Sequence, residues 1–379
     1  MSRVFLYILF LTAFVSCKEK YELPYSGPAT GYLVVDGIIN GGQGPTNIRL
    51  TRTLALVDTV PFRNENNAQV FVEGDNNTSF ELNETQSGVY SHPQLTLEQH
   101  VKYRLRINTS EGKIYLSEYS DNRKTPPIDN ISWERTGDGV MFFVNTHDAQ
   151  NNTRFYKWDY EETWEFRSNY LSTLRYVYDG FGNPIAVTER DYDEMMKMYY
   201  CWQGETSKNI LIGSSIKLSR DTIHLPVLFI PQESWKISAL YSILVKQYAL
   251  SPAAFEFFQR MKKNTEQVGS LFDAQPSELT GNIQCLDNPA EIVIGFVEVS
   301  EAQQQRIFVA RNEVLPWDYR MLCYEESILN NPDSLNTGLI PTSMHLGGPF
   351  GSIMRFYAST PLCVDCTTRG TNVKPSFWP

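Results

Sequence analysis

HVKYRLRIN, residues 100–108, alternates apolar and charged residues along its length. One side would carry Val101, Tyr103, Leu105 and Ile107, and the other Lys102, Arg104 and Arg106. A period of two residues is typical of a β-strand that is buried on one face and solvated on the other. The stretch therefore predicts a strand at the surface of a β-sheet.

Shorter segments of the same kind surround this strand. An apolar run, residues 32–35, stops at Asp36-Gly37, and AQVFVEGD, residues 68–75, again alternates before a turn. About seven strands at roughly ten-residue spacing, without a helical stretch, favour an immunoglobulin-like or prealbumin-like β-sandwich. We place this N-terminal β-sandwich at residues 30–125, because Pro126-Pro127 forbids regular strand pairing.

The remainder, residues 128–379, predicts a second β-rich domain. DNISWERT and GVMFFVNT (residues 129–136 and 139–146) are typical of a hairpin, and RFYKWDYEETWEF (residues 154–166) of a long aromatic strand. One helix is expected at about 252–267, because Ser251 would cap it and Pro252 would take its first position. The fold class is therefore mainly β, with one inserted α-helix.

The N-terminus predicts a membrane anchor. Arg3 precedes an apolar run, residues 4–15, which is shorter than the roughly 20 residues that a membrane-spanning helix needs. Ser16-Cys17 follows, so residues 1–16 are typical of a lipoprotein signal peptide, Cys17 would be lipidated, and residues 17–29 would form a tether. The alternative is an ordinary secretory signal with a chance cysteine. The charged residues 18–20 favour exposure at the cell surface.

The sequence contains no motif that indicates an enzymatic reaction. The formal net charge of −10, without basic runs, argues against nucleic acid as a partner. The five histidines form no HExxH or HxH pair, and nucleophile-elbow, phosphate-loop and dinucleotide motifs are missing from the sequence. His147 beside Asp148 and the acidic clusters at 161–162 and 191–194 are more typical of solvated surface. We expect no enzyme, no metal and no cofactor.

Two features could bind a ligand. The tryptophans could form a platform for sugars or peptides, although aromatic residues more often fill sandwich cores; they are Trp133, Trp158, Trp164, Trp202, Trp235, Trp317 and Trp378. DGIINGGQGPTN, residues 36–47, could be a binding loop, although its composition is more typical of a simple connection.

Cys363 and Cys366, near the C-terminus, could belong to a zinc site, a redox dithiol or a disulfide clasp. Zinc would need two further ligands, and no second CxxC supplies them. A thioredoxin-like dithiol would open a helix, whereas TTRGTNVKP is typical of a loop. Thiols pair in an oxidising compartment. We therefore expect Cys363 and Cys366 to be joined separately to Cys201 and Cys323, which leaves Cys285 unpaired and pins the C-terminal tail.

Four motifs, in order, resemble one family: YSILVKQYALSPAAFEFF, GSLFDAQPSELTGNI, EIVIGFVEVS and CVDCTTRGTNVKPSFW. The chain is similar to Bacteroidota lipoproteins that carry domain of unknown function 4249. YLVVDGII and the expected lipid anchor at Cys17 extend this resemblance over the mature chain. The resemblance implies an outer-membrane lipoprotein, with genes often beside those for TonB-dependent transporters, and implies no activity.

Three hypotheses follow. The first is a non-enzymatic accessory lipoprotein that captures a ligand for a TonB-dependent outer-membrane transporter, or caps that transporter. The second is a glycan- or peptide-binding surface protein that acts alone. The third, hydrolysis by paired carboxylates, has the least support, because the sequence singles out no pair of acids.

Overall fold

The computed structural model describes residues 31–54, 62–266, 279 and 281–379. The expected signal peptide and tether, with Cys17, lie outside these residues. The chain is mainly β, as the sequence predicts. Its first strands are β1 (Leu33–Asp36), β2 (Ile39–Asn40), β3 (Thr46–Thr53), β4 (Phe62–Asn64), β5 (Gln69–Gly74), β6 (Ser79–Gln86), β7 (Val89–His92), β8 (Lys102–Asn108), β9 (Ile114–Ser117) and β10 (Ser120–Asp121).

These strands form the N-terminal sandwich. Strand β6 pairs with β5 on one side and β7 on the other, and so links its two layers. In β8, the predicted alternation is confirmed, because Tyr103, Leu105 and Ile107 are each only 1% exposed. On the opposite face Arg104 forms an ion pair with Glu73 at 2.8 Å. The core inside the sandwich is mostly aliphatic.

The next elements are β11 (Ile128–Arg135), β12 (Gly139–Thr146), β13 (Phe155–Arg167), β14 (Leu174–Tyr178), β15 (Pro184–Glu189), helix α1 (Tyr192–Tyr199), β16 (Tyr200–Thr206), β17 (Leu211–Ser214), β18 (Ile223–Pro231) and β19 (Leu240–Ala249). Strands β11 and β12 form the predicted hairpin, which β18 extends to three strands. The predicted aromatic strand is β13, which pairs with β16, β17 and β19. Between the two sheets lies a core rich in aromatic side chains.

The chain then returns to the N-terminal sandwich. It passes through helix α2 (Pro252–Glu266) and strands β20 (Ile283–Cys285), β21 (Val293–Ile294) and β22 (Val299–Ser300). Strand β20 pairs with β9, and β21 and β22 run parallel to β1 and β2. The sequence placed this segment in the second domain, because such short strands show no preference for either sheet. A Cβ on Gly281 would lie 1.5 Å from the Gly295 carbonyl oxygen, so this return requires glycine.

The last elements are β23 (Gln303–Ala310), β24 (Glu326–Leu329), β25 (Ile340–Gly347), β26 (Ile353–Ser359) and helix α3 (Pro361–Val364). Short 3₁₀ helices occur at Trp235–Ile237, Arg311–Glu313, Pro332–Ser334, Pro349–Gly351 and Cys366–Thr368. Strand β23 joins β19 and completes what we call the C-terminal sandwich: β11–β13, β16–β19 and β23. Strands β24–β26 pack with the β14–β15 hairpin around a small core of their own, and we call this unit the lobe.

Three chain segments cross between the sandwiches, and a buried polar cluster joins them. Thr125, from the first crossing, shares a 3.0 Å hydrogen bond with Ser300, from the third. The amide of Ala249, from the second, donates to both hydroxyls at 2.9 and 3.1 Å. Beside them the Gln247 side chain donates to the Pro126 carbonyl and accepts from Trp158 Nε1, each at 2.8 Å. Since buried hydrogen bonds of this kind are costly to break, the junction holds the two sandwiches in one arrangement.

Candidate functional site: the cleft between the sandwiches

The outer face of strand β13 forms the floor of a cleft. Side chains alternate between faces along a strand, so the aromatic residues of β13 enter the core while Lys157, Asp159 and Glu161 point outward. Strand β19 places Tyr248 opposite Lys157 and Lys246 opposite Asp159. The floor is therefore built from two neighbouring strands of one rigid sheet.

Charges of both signs are paired along this floor. Lys157 Nζ lies 2.5 Å from Asp159 Oδ1, and Lys246 Nζ lies 2.5 Å from Glu161 Oε1. Burial, together with the carboxylates of Asp159 and Glu161, raises the pKa of Tyr248, so its hydroxyl stays protonated at neutral pH. The floor offers a ligand a balanced set of donors and acceptors.

The N-terminal sandwich supplies the roof, largely through residues 36–47, which the sequence favoured as a simple connection. Asn40 organises this loop: its Oδ1 accepts from the amides of Gly42 at 2.8 Å and Ala302 at 2.9 Å, and its Nδ2 donates to the Gln43 carbonyl at 3.0 Å. These bonds fix the loop to the chain that enters β23. The loop is thus held in place at the cleft by a buried amide.

The cleft has a volume of about 410 Å³, within the usual range for small-molecule sites. Besides the floor and the loop, Arg49 from β3, Thr85 and Gln86 at the end of β6, and Phe258 from α2 line it. Neither histidine nor cysteine occurs among its lining residues in the described part of the chain. The arrangement can bind a polar ligand through charges and hydrogen bonds.

None of the cysteines in the described ranges lines the cleft, and four of them form two bridges. Cys201 is joined to Cys366 and Cys323 to Cys363, while Cys285 is free and buried in the N-terminal sandwich. The predicted clasp thus takes one of the two pairings that the sequence left open.

The bridged tail covers the other end of the same sheet face. Trp378 is 6% exposed and donates from Nε1 to Glu165 at 3.3 Å. The Arg306 guanidinium stacks 3.6 Å from the Phe377 ring centre. Glu165 belongs to β13 of the cleft floor and Arg306 to β23, the next strand of the same sheet, so the tail bounds the exposed part of this face.

The tryptophans form no exposed platform. Trp158, Trp164, Trp202, Trp317 and Trp378 are buried. Trp133 and Trp235 are partly buried and pack against the aromatic core. All seven tryptophans lie within the described residues. Their number in the sequence therefore reflects the core of the C-terminal sandwich.

The acidic clusters have structural roles. Asp191 caps α1 by accepting from the Glu194 amide at 3.0 Å, as a helix N-cap does. Glu161 and Glu162 point to opposite faces of β13, so they do not form a catalytic pair. Instead, Glu162 is buried with Lys236 and Tyr241, each at 2.8 Å.

His147 lies in an exposed loop, where its Nδ1 is 2.7 Å from Asp129 Oδ2. The hydrogen bond to Asp129 raises the pKa of His147. Across the ranges that the structure describes, no group of three or more histidine, cysteine, aspartate or glutamate residues could hold a metal ion. In the same residues no helix is both long and apolar enough to cross a membrane.

Asp36 begins the stretch 36–47 that the sequence offered as a possible binding loop, whereas the cleft residues Arg49, Lys157 and Lys246 were missed by sequence reasoning. Each of these three lies on the polar side of a predicted strand, which alone indicates only contact with solvent. The signal that could have found them is the glycine-rich loop at 36–47, whose length exceeds what a simple hairpin needs. Which sheet face this loop covers depends on the junction between the sandwiches.

Comparison with known proteins gives one family. A sequence model described as "Domain of unknown function (DUF4249)" matches residues 18–306. No curated protein matches the sequence. Among solved structures, one titled "Biofilm associated protein - B domain" aligns with 7% identity over 77% of this chain and 89% of that chain. Its TM-score is 0.14, so this likeness carries no argument.

Proposed function

The chain belongs to the family described as Domain of unknown function (DUF4249), and from this premise we propose that it is a non-enzymatic ligand-capture lipoprotein of the outer membrane. It would bind a polar ligand in the cleft between the sandwiches and serve a TonB-dependent transporter. The observation that carries the proposal is the cleft itself, whose floor and roof are held together by the buried junction around Gln247.

A preformed cleft favours capture because little ordering is required when a ligand binds. Its position between two domains is also common for ligand sites. The carboxylates of the floor are already paired with lysines, which favours binding over acid–base chemistry. These features support a binding protein rather than a hydrolase.

The membrane and the transporter enter the proposal through the sequence. The apolar run before Cys17 supports a lipid anchor, and the resemblance to Bacteroidota lipoproteins supports a TonB-dependent transporter as partner. A binding protein that acts alone is the second candidate, because residues of this one chain supply both the floor and the roof of the cleft. Glycan binding through a tryptophan platform loses its support, since the tryptophans are packed in the protein.

Tagged full-length protein, purified from gently solubilised cell envelopes, tests the proposal. We expect mass spectrometry to recover a β-barrel TonB-dependent transporter, and protease treatment of intact cells to remove the tag. A Cys17→Ser variant is the control, because it should leave the membrane fraction and lose the transporter. Repeated recovery of the wild-type protein without any barrel partner would favour the second candidate.

A further inference from the structure

Two unpaired charges of opposite sign lie on the roof of the cleft. Asp36 of β1 and Arg49 of β3 are direct partners in the strand register, so their side chains leave the same face of the sheet. Both side chains are exposed and line the cleft. Within the described residues neither forms an ion pair with another side chain, although each faces the site. The roof therefore presents one free carboxylate and one free guanidinium.

The floor below adds no net charge. Its lysines and carboxylates are matched, so among the lining residues in the described part of the chain only the two charges on the roof lack an ion-pair partner. A ligand with a single sign of charge would meet one attractive and one repulsive group there. A ligand with an ammonium group at one end and a carboxylate at the other would satisfy both groups.

The aromatic residues of the cleft favour a peptide over a sugar as its ligand. Lys157 Nζ lies 5.7 Å from the ring centres of both Tyr248 and Phe258, where it covers their faces. Tyr160 and Phe258 are themselves buried. A sugar would stack on an open ring, and none of these three rings is open. Paired side chains that donate and accept hydrogen bonds suit the alternating N–H and C=O groups of a peptide backbone.

We infer that the cleft binds short peptides with free termini, with the Arg49 guanidinium holding the carboxylate and the Asp36 carboxylate holding the ammonium group. This inference rests on the proposed function in that both use the same cleft. Directly opposite residues on paired strands lie about 5 Å apart, and the arginine side chain extends well beyond its Cβ. The separation of the two charges therefore suits a peptide of two or three residues. A cleft of about 410 Å³ holds a peptide of that size.

Calorimetric titration of the purified protein with tri-alanine tests the inference, beside its N-acetylated form, its C-terminal amide and maltotriose. We expect tri-alanine to bind, each blocking group to weaken binding about tenfold, and maltotriose to give no heat. The Arg49→Gln variant should bind tri-alanine about tenfold more weakly than the wild type does. It should bind tri-alanine and its C-terminal amide with equal affinity. Asp36→Asn should likewise fail to distinguish tri-alanine from its acetylated form.

Arg63→Gln is the matched control, because Arg63 is an exposed arginine on the adjacent strand β4 and does not line the cleft. It should bind all three peptides as the wild type does. Equal binding of blocked and free peptides, binding of maltotriose alone, or an unchanged amide effect in Arg49→Gln would each overturn the inference. Recovery of a transporter without peptide binding would contradict only the ligand class. Peptide binding without a transporter would contradict only the accessory role.

Discussion

The two sandwiches reach similar architectures by different means. The N-terminal sandwich has an aliphatic core, a buried ion pair and a segment, residues 281–300, that returns from later in the chain. The C-terminal sandwich has an aromatic core and a disulfide to the tail. Tryptophan side chains bury large areas, whereas the N-terminal sandwich gains area by adding strands at its edges. The first relies on pairing between distant strands, and the second on side-chain volume and a covalent link.

Separate probes can report on each sandwich. All seven tryptophans follow residue 127, so their fluorescence reports on the C-terminal part of the chain. Arg52 and Glu65 are both buried in the N-terminal sandwich, where they form an ion pair, and the buried Tyr115 of the same core donates from its hydroxyl to Glu291 at 2.6 Å. Circular dichroism reports on both sandwiches. Comparing its unfolding transition with that of tryptophan fluorescence therefore separates the two sandwiches in each variant.

The largest effect should follow removal of the bridge with a sequence separation of 165 residues. Cys201→Ala with Cys366→Ala should lower the free energy of unfolding by about 5 kcal/mol, because the unfolded chain gains the entropy of a long open loop. Urea unfolding followed by tryptophan fluorescence measures this loss. Cys285→Ala is the control, since it removes a buried thiol that forms no bridge. Equal losses in the two proteins would contradict a stabilising role for the clasp.

A somewhat smaller loss, about 4 kcal/mol, should follow Glu65→Leu, because Arg52 would keep a buried charge without its partner. Adding Arg52→Leu should restore part of the stability. Asp121→Asn is the control: its contact with Lys102 is exposed and 3.9 Å long, so the change should be under about 1 kcal/mol. Circular dichroism during urea unfolding measures all three. If Glu65→Leu proved as mild as the control, the buried pair would not stabilise the sandwich.

Gln247→Leu tests whether the sandwiches unfold together. It should cost about 2 kcal/mol, because Trp158 Nε1 and the Pro126 carbonyl would lose buried partners. We also expect the fluorescence and circular dichroism transitions, coincident in the wild type, to separate. Gln304→Leu on the neighbouring strand, where the side chain is exposed, should change neither. Transitions that still coincide in Gln247→Leu would show that other contacts couple the sandwiches.

The smallest effect concerns the exposed His147–Asp129 pair of the C-terminal sandwich. Because the hydrogen bond to Asp129 raises the pKa of His147 above its ordinary 6.5, the stabilisation is full below that value and is lost as pH rises through the higher folded pKa. The melting temperature of the wild type should therefore exceed that of His147→Gln at about pH 5, and the two should be equal at about pH 9. Asp129→Asn should show the same convergence. A difference that grew with pH would contradict the pairing.

Much of the fold follows from local patterns. The alternation at 100–108 gives β8, the serine and proline at 251–252 begin α2, and the cysteine positions indicate a clasped tail. The return of residues 281–300 could not be derived in this way, because strands of two or three residues carry too little periodicity to select a partner sheet.

The candidate site was harder to derive because it depends on two distant segments. Lys157 and Asp159 have the alternation of a solvated strand face, and only the fold shows that residues 36–49 lie above them. The tryptophans illustrate the converse. Their abundance suggested a binding platform, yet side chains of that size are most stable in a core, which is where the structure places them.

The return of residues 281–300 also constrains how the protein can be made. A ribosome releases the first hundred residues well before it synthesises β20 and β21. Until then the edges of β1 and β9 in the N-terminal sandwich remain unpaired. Open strand edges are templates for aggregation. A fragment that ends near residue 125 would keep them open permanently. The N-terminal sandwich is thus compact in space but is not an independent module that recombination could transfer to another protein.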